Sequence, residues 1–412
     1  MKPFVIAVAI VVLSVGCVSA RTWHVRPDGT GDVPTIQAGV DSSASGDSVL
    51  LASGTYRDTG NCSIVVGSKA VVIGSEAHDP ASCVIDCEGL RGETRYGLSL
   101  GSGPVVVAIT VANSNASAVW ASGGATLIDC VFSDNCNTGK GPIAGYGGAI
   151  VVLADGLTVT GCTFTGNWAR CGGAIYTWAA SCTIRDCTFE GNRAIGVAGD
   201  PYFGYGGGVF LEGLGSSTVD GCIFYDNTAQ AQGGAICCLA HEGGVQVEHS
   251  LFYHNYSSSQ GGGLAVSGCS MIAGCTVVAN SAPDGAGIWS GSQIGVISCV
   301  VAYNTGGAGC GLYRTWDGYI ATLECTDIFA NEGGDWVGDI APQNGVYGNF
   351  SLCPSFCQAD VNDYHLCDMS PCMPGNHGGY ACGLIGALSQ GCACGPSAVQ
   401  PATWGEIKAM YK

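Results

Sequence analysis

Charge is scarce in this sequence, and positive charge scarcest. Only 11% of the 412 residues are charged, and 14 basic residues face 32 acidic ones for a formal net charge of −18. A field of that sign disfavours nucleic acid and anionic membrane surfaces, but leaves cations and neutral surfaces as partners. The chain is nevertheless 47% apolar, which excludes wholesale disorder. No CxxC pair occurs among its 25 cysteines, so a structural zinc or a thioredoxin-like redox centre is unsupported. The 67 glycines follow no every-third-residue period, which excludes collagen and points instead to many tight turns. Beyond the N-terminus no apolar run is long enough to cross a bilayer.

What is present begins with a leader. Residues 1–20 read as a secretory signal peptide: Lys2 supplies the basic start, Phe4 to Leu13 the apolar stretch, and Val18, Ser19 and Ala20 a small-residue cleavage site. Lipidation at Cys17 is the alternative, although Ser14 stands where an aliphatic residue is usual. Removing the leader leaves 13 basic residues, a net charge near −19 and 24 cysteines. An even cysteine count in an exported chain implies an oxidising compartment, outside the cell or on its surface, with some disulfides.

The middle of the chain repeats. A CxFxxN segment occurs at Cys130 to Asn135, Cys162 to Asn167, Cys187 to Asn192 and Cys222 to Asn227. Weaker copies end at Asn255, Asn280 and Asn304, and one from Cys325 to Asn331 carries an extra residue. Asn113 reads as an earlier member. After each Asn comes a glycine pair or near match and an aliphatic residue, as in Gly147-Gly148-Ala149-Ile150 and Gly172-Gly173-Ala174-Ile175. Successive asparagines lie 22 to 35 residues apart, mostly near 25, and the longest spacings arise from insertions at 137–146 and 195–205. Each unit holds three short β-like runs that cannot bury themselves alone. Stacked on the next unit they form three parallel sheets around a prism, and parallel crossovers are right-handed with few exceptions.

This array resembles the right-handed parallel β-helix of the pectate-lyase-like superfamily, and its FxxN and GGAI pairing is similar to the repeat of polymorphic outer-membrane proteins. The resemblance spans roughly residues 108–331. It implies an all-β solenoid of about ten coils but leaves activity open, because the superfamily holds lyases, hydrolases, esterases and non-catalytic adhesins. The NTD, DD, GHG and RIK segments of pectin hydrolases and the QAV, DFIFG and LGRPW runs of pectin esterases are absent. Only five basic residues, Lys140, Arg170, Arg185, Arg193 and Arg314, fall between Asn113 and Asn331, few for a lyase that must hold uronate carboxylates. Transmembrane barrel strands are absent too, which separates the chain from self-anchoring relatives.

Alternation assigns faces. The aliphatic residue after each glycine motif points inward, so the next residue points outward: Val151, Tyr176, Phe210, Cys237, Ala265, Trp289 and Tyr313, with Trp178 two residues beyond Tyr176. Tyr176, Trp178, Phe210, Trp289 and Tyr313 then form either a ligand-binding ladder for sugar rings or a protein partner, or a surface that the insertion loops bury. The asparagines and phenylalanines read as inward ladders, and the motif cysteines as a thiol ladder, because in-register parallel neighbours are poorly placed for disulfides. For catalysis the candidates are Arg185, Asp220 and Glu248, counted two back from the motif Cys, and Asp226 and His254, one before the Asn, with Tyr225, Tyr253 and His249 nearby. Paired carboxylates suit Ca²⁺, and a His or Arg beside them suits general-base work; a solvated charged face is the plainer interpretation. No other metal or cofactor is expected.

Residues 21–107 read as an N-terminal cap and first coils, 108–351 as repeats, 352–395 as a cysteine-rich cap over the last sheet edge, and 396–412 as a linker and tail. In the first of these, Asp32 is placed to cap a short helix with Pro34 in its first turn and Ile36 and Val40 on one face. The expectation is an exported monomer that binds polysaccharide or a cell-surface component without catalysis; the alternative is a lyase or hydrolase acting on an acidic glycan.

Overall fold

The computed structural model describes residues 20–394 except 89–93, 138–143, 179, 197–203, 214, 241–243, 269, 308–310, 315–320 and 378–379. Residues 1–19 of the leader, the 396–412 tail, the tips of both long insertions, Cys269 and Cys310 therefore lie outside the described residues. The chain winds as a right-handed solenoid of short parallel strands. A first sheet has 12 strands, a second 11, a third 10, and a corner sheet between the second and third has six strands of two residues. Twelve rungs slightly exceed the ten or so expected.

Strands form because apolar residues recur every second position. In the first sheet Ile184, Val219, Val247, Ile272 and Val296 are fully buried, while the residues between them face out. In the third sheet Ile150, Ile175, Val209, Ile236, Leu264 and Ile288 pair in register and are all buried. Five phenylalanines of the second sheet, Phe132, Phe164, Phe189, Phe224 and Phe252, stack with ring centroids 4.4 to 5.0 Å apart.

The turns are built in columns. Between the first and second sheets, Asp129, Gly161, Asp186, Gly221, His249, Gly274, Ser298 and Cys325 all have positive φ, and the next residue in each coil is Cys130, Cys162, Cys187, Cys222, Ser250, Cys275, Cys299 or Thr326. Each of these side chains donates to the carbonyl two residues earlier, and four of the N–H groups donate to the sulfur or hydroxyl of the next coil, as Cys130 N–H does to Cys162 Sγ at 3.3 Å. All these cysteines are free, so the expected thiol ladder is present. The extra residue after Cys325 is accounted for: Thr326 holds the column position and Cys325 the left-handed turn.

The asparagine ladder runs through the second turn. From Asn135 to Asn304, each Nδ2 donates to the Oδ1 of the next asparagine and to a carbonyl of the preceding coil, and that same Oδ1 accepts a backbone N–H. Asn331 ends the row on the Asp335 carboxylate. Asn113 does not begin it. Its side chain reaches Asp86, and the neighbouring Ser114 N–H is what donates to Asn135 Oδ1.

The N-terminal helix, Ile36–Ser42, buries Ile36 and Val40 as expected. Its cap is Thr35, whose side chain accepts the Ala38 N–H, whereas Asp32 accepts from His24 N–H and Pro34 precedes the cap. The difference follows from reach: a cap must accept from the second or third helical N–H, which Thr35 alone can touch.

The third sheet is covered on its outer face. The first glycine of each motif, such as Gly172 at φ +61°, turns the chain so tightly that a Cβ there would stand 2.3 Å from Ile175 O. The residues before the glycines, Tyr146, Cys171 and Tyr205, thereby fold back over the strand they precede, and with Tyr176, Phe210 and Trp289 they form a second apolar cluster.

The C-terminal region closes the molecule in two places. Trp336 and Ile340 plug the open end of the prism, and Gln343 hydrogen-bonds the exposed last strand at Ala321 and Leu323. Residues 353–394, held by Cys325–Cys382, Cys357–Cys392 and Cys367–Cys394, lie instead on the outer face of the second sheet, where Tyr364 packs on Tyr253 and the Gly386 N–H bonds Ser298 O. The expected stapled cap therefore covers a sheet face, and the edge is closed by the segment before it. Cys325, outside the C-terminal cysteine cluster, supplies one disulfide partner.

Asn227→Ala removes the acceptor for two Asn192 donors in a buried turn, and we expect it to cost about 3 to 5 kcal/mol in urea unfolding, while Thr228→Ser beside it stays within about 0.5 kcal/mol. Burial beneath the C-terminal region pushes the Asp327 carboxyl up to about 8, against the pull of hydrogen bonds from Leu352 N–H and the Cys372 thiol. The folded state then keeps a proton that the unfolded chain releases near pH 4, so this contribution is full below that pH and is lost as pH rises towards 8. Asp327→Asn should flatten that limb and raise the melting temperature by a few degrees at pH 8 but not at pH 4, the gain being on the order of a few kcal/mol; an unchanged pH profile contradicts the assignment.

Candidate functional site

Outward faces are where chemistry is available, and the third sheet turns out not to offer one. Tyr176, Phe210 and Trp289 are 1%, 3% and 8% exposed, the first two covered by Tyr146 and Tyr205, whose rings lie 4.5 Å from Tyr176 and 5.5 Å from Phe210. The Tyr176 hydroxyl donates to Glu212, and burial, then that carboxylate, raises its pKa and holds the phenol neutral. The proposed aromatic platform is thus a second core. Trp178 alone of the four described side chains remains exposed, at 51%, set edge-on to Tyr146 and Tyr176. Tyr313 is in register with Trp289, but its side chain lies outside the described residues.

The catalytic candidates divide into two groups. Arg185, Asp220 and Glu248 are Cα partners in successive strands of the first sheet, stacked as the spacing implied. Asp226 and His254 also stack, in the left-handed column that precedes the asparagines, with φ +55° and +54°. That column lies at the far end of the second-sheet strand, so these two residues do not join the first three. The imidazole that does is His249, whose Nδ1 lies 3.0 Å from Asp220 Oδ1. Its left-handed turn, φ +45°, swings the ring across the coil, and Gly274 leaves space for it.

Ligand atoms of Asp220, Glu248 and His249 all lie within 4.8 Å of one another. The three groups are exposed or half-buried. Two carboxylates are a thin start for Ca²⁺, which takes about six to eight oxygens, and the imidazole suits a softer divalent ion better. The arrangement offers hydrogen-bond acceptors at the rim of the sheet together with one imidazole.

Beside this cluster lies a trough of about 500 Å³ that the candidates above did not include. Its floor is the row two residues earlier in the same strands, Thr218, Gln246, Met271, Gly295 and Thr322, in register across five coils. Ser216 and Gln293 add a hydroxyl and an amide at its wall. Depth comes from missing side chains: a Cβ on Gly295 would meet nothing within 4 Å. Alternation from the buried Val219, Val247 and Ile272 identifies this row in the sequence, but not that it is concave.

The sequence matches the family described as the right-handed β-helix region over residues 95–301. No curated protein matches it. Among solved structures it is similar to pectate lyase Pel9A, with a TM-score of 0.52 and 14% identity over 91% of this chain and 98% of that one. Pectin methylesterase from carrot aligns over 86% of this chain and 92% of that one at 13% identity and a TM-score of 0.33, too low to carry an argument. At such identities the first likeness concerns the fold, and it agrees with the stacked sheets and buried turn ladders described above. With half its length inside the family match, the chain belongs to the right-handed β-helix family.

Proposed function

We propose that this is an exported, monomeric binding protein that lays a polysaccharide along the outer face of its first sheet, without cleaving it. The observation that carries this reading is the trough on that face. Its lining is hydroxyl, amide, Met271 and bare glycine, which suits a ligand rich in hydroxyls with apolar patches between them. Rungs about 4.8 Å apart give an extended chain a regular row of partners. The leader-like N-terminus supports export, and the FxxN and GGAI repeat, similar to that of polymorphic outer-membrane proteins, supports a role at a surface. Neutral lining and a net charge of −18 favour a neutral glycan over an acidic one.

A second reading rests on a different observation, the approach of Asp220, Glu248 and His249 to one another with Arg185 in register beside them. There the protein would be a cation-assisted lyase or hydrolase on an acidic glycan, with Ca²⁺ held by the two carboxylates and His249 as base.

A glycan array probed with the mature chain, read beside an assay for new unsaturated or reducing ends, separates the two. Gly295→Tyr fills the trough without entering a strained backbone region, and should weaken polysaccharide binding more than tenfold, at least about 1.4 kcal/mol, with an unchanged melting temperature. Asp220→Asn and Glu248→Gln should leave binding intact. Bond cleavage that requires Ca²⁺ and disappears in those two variants would establish the enzyme instead.

A further inference from the structure

The corner sheet presents an outward row of its own. In the first five of its two-residue strands the second side chain is small and buried, as with Ala169, Ala194 and Ala229, and the first faces out. That outward residue is Trp168 in one coil and Arg193 in the next, and the two are Cα partners. Trp168 is 37% exposed, a large side chain left partly in water where Ala, Ser or Thr would satisfy the fold.

Beside this pair runs the left-handed column before the asparagines, which here reads Asp134, Gly166 and Gly191. The column accepts side chains elsewhere, Asp226 and His254 among them, so its two consecutive glycines are not demanded by the backbone. Their effect is a concavity of about 370 Å³ between Trp168, Arg193, Asp134 and Ile195. The Asp134 carboxylate extends over Gly166, 2.8 Å from where a Cβ would stand, while a Cβ on Gly191 would meet nothing within 4 Å. Among the described residues neither Asp134 nor Arg193 is ion-paired.

We propose that this corner is a binding site for a single neutral pyranose ring, separate from the trough on the first sheet and independent of what that trough binds. An indole face takes the C–H face of a sugar ring, leaving its hydroxyls at the edge. Arg193 offers only donors and Asp134 only acceptors, so together they match hydroxyls, which are both. The two charges cancel, and a net charge of −18 on the protein opposes an anionic ligand, so the ring carries no carboxylate. Size agrees with a small ligand, since the space is at the lower end of small-molecule pockets.

The test uses the mature chain and methyl β-galactopyranoside, methyl β-glucopyranoside and methyl α-mannopyranoside as probes, with galacturonate as the charged comparison. The readout is the indole N–H resonance of Trp168, assigned by its loss in Trp168→Phe. One or more of the neutral glycosides should shift that resonance saturably, and galacturonate should bind at least tenfold more weakly. Trp168→Ala, Arg193→Ala and Asp134→Asn should each weaken binding at least tenfold by saturation-transfer measurements. Gly191→His, which copies His254 of the same column and so keeps the fold, should block the site while leaving Trp168 and Arg193 in place. Gly295→Tyr should have no effect, which distinguishes failure of this site from failure of the trough. No shift with any neutral glycoside, tighter binding of galacturonate, or binding that survives Gly191→His would overturn the proposal.

Discussion

Every coil of this solenoid must pass its backbone through buried turns, and a turn has no ladder partner of its own for its polar groups. The asparagine row meets that constraint. One primary amide per coil supplies two donors and an acceptor that takes two bonds, so that Asn227 serves an N–H and a carbonyl of the preceding coil and joins the asparagines on both sides of it. Aspartate has no donors, and serine is too short to make all these contacts. Once this turn is fixed, the strand before it and the strand after it are fixed in register, and the phenylalanine stack follows on the second sheet. The row ends where a carboxylate, Asp335, takes the last amide, and the chain then turns across the open end of the prism.

A structure built of columns confines its freedom to the positions that face out. Inward columns are nearly invariant from coil to coil: aliphatic on the third sheet, aromatic or valine on the second, amide at the turn. Outward columns on the first and corner sheets vary, from Thr218 to Gln246 to Met271 to Gly295, and from Trp168 to Arg193 to Thr228 to Tyr256. Changes at such positions leave the core untouched, so recognition is free to reside there. The left-handed columns are intermediate: the backbone restricts them to residues that tolerate positive φ, yet their side chains still choose between filling a space and leaving it open.

How much of this was legible from residues alone depends on how far each feature reaches. The ladders, their inward direction and the stacking of Arg185, Asp220 and Glu248 follow from a period of two and a repeated asparagine, both local. Burial of Tyr176 and Phe210 does not. It requires the chain to reverse at Gly172 and its equivalents and to lay Tyr146 over Tyr176 and Tyr205 over Phe210, and a glycine pair marks a corner without giving its direction. Similarly, Asp226 and His254 were placed in the correct column, but the column's distance from Asp220 is set by how the prism folds between them. The trough escaped because it is made by side chains that are absent, and the C-terminal segment because it has no period from which to infer the face it covers.

The cysteines bring these levels together. A chain with 25 cysteines invites the inference that they are cross-linked, yet the motif column stays reduced in the structure while the cross-links gather at the C-terminus. The column itself explains why. Its positions are shared with Ser250 and Thr326, which make the same bond to the carbonyl two residues back that the thiols make, so the common property is a small donor that fits a buried turn. In-register parallel neighbours are also poorly disposed for the geometry that a disulfide requires. The C-terminal region faces the opposite problem. It has no coil beneath it to supply hydrogen bonds in register, and it lies on a sheet face through apolar side chains and isolated hydrogen bonds, so covalent links reinforce it where repetition holds everything else.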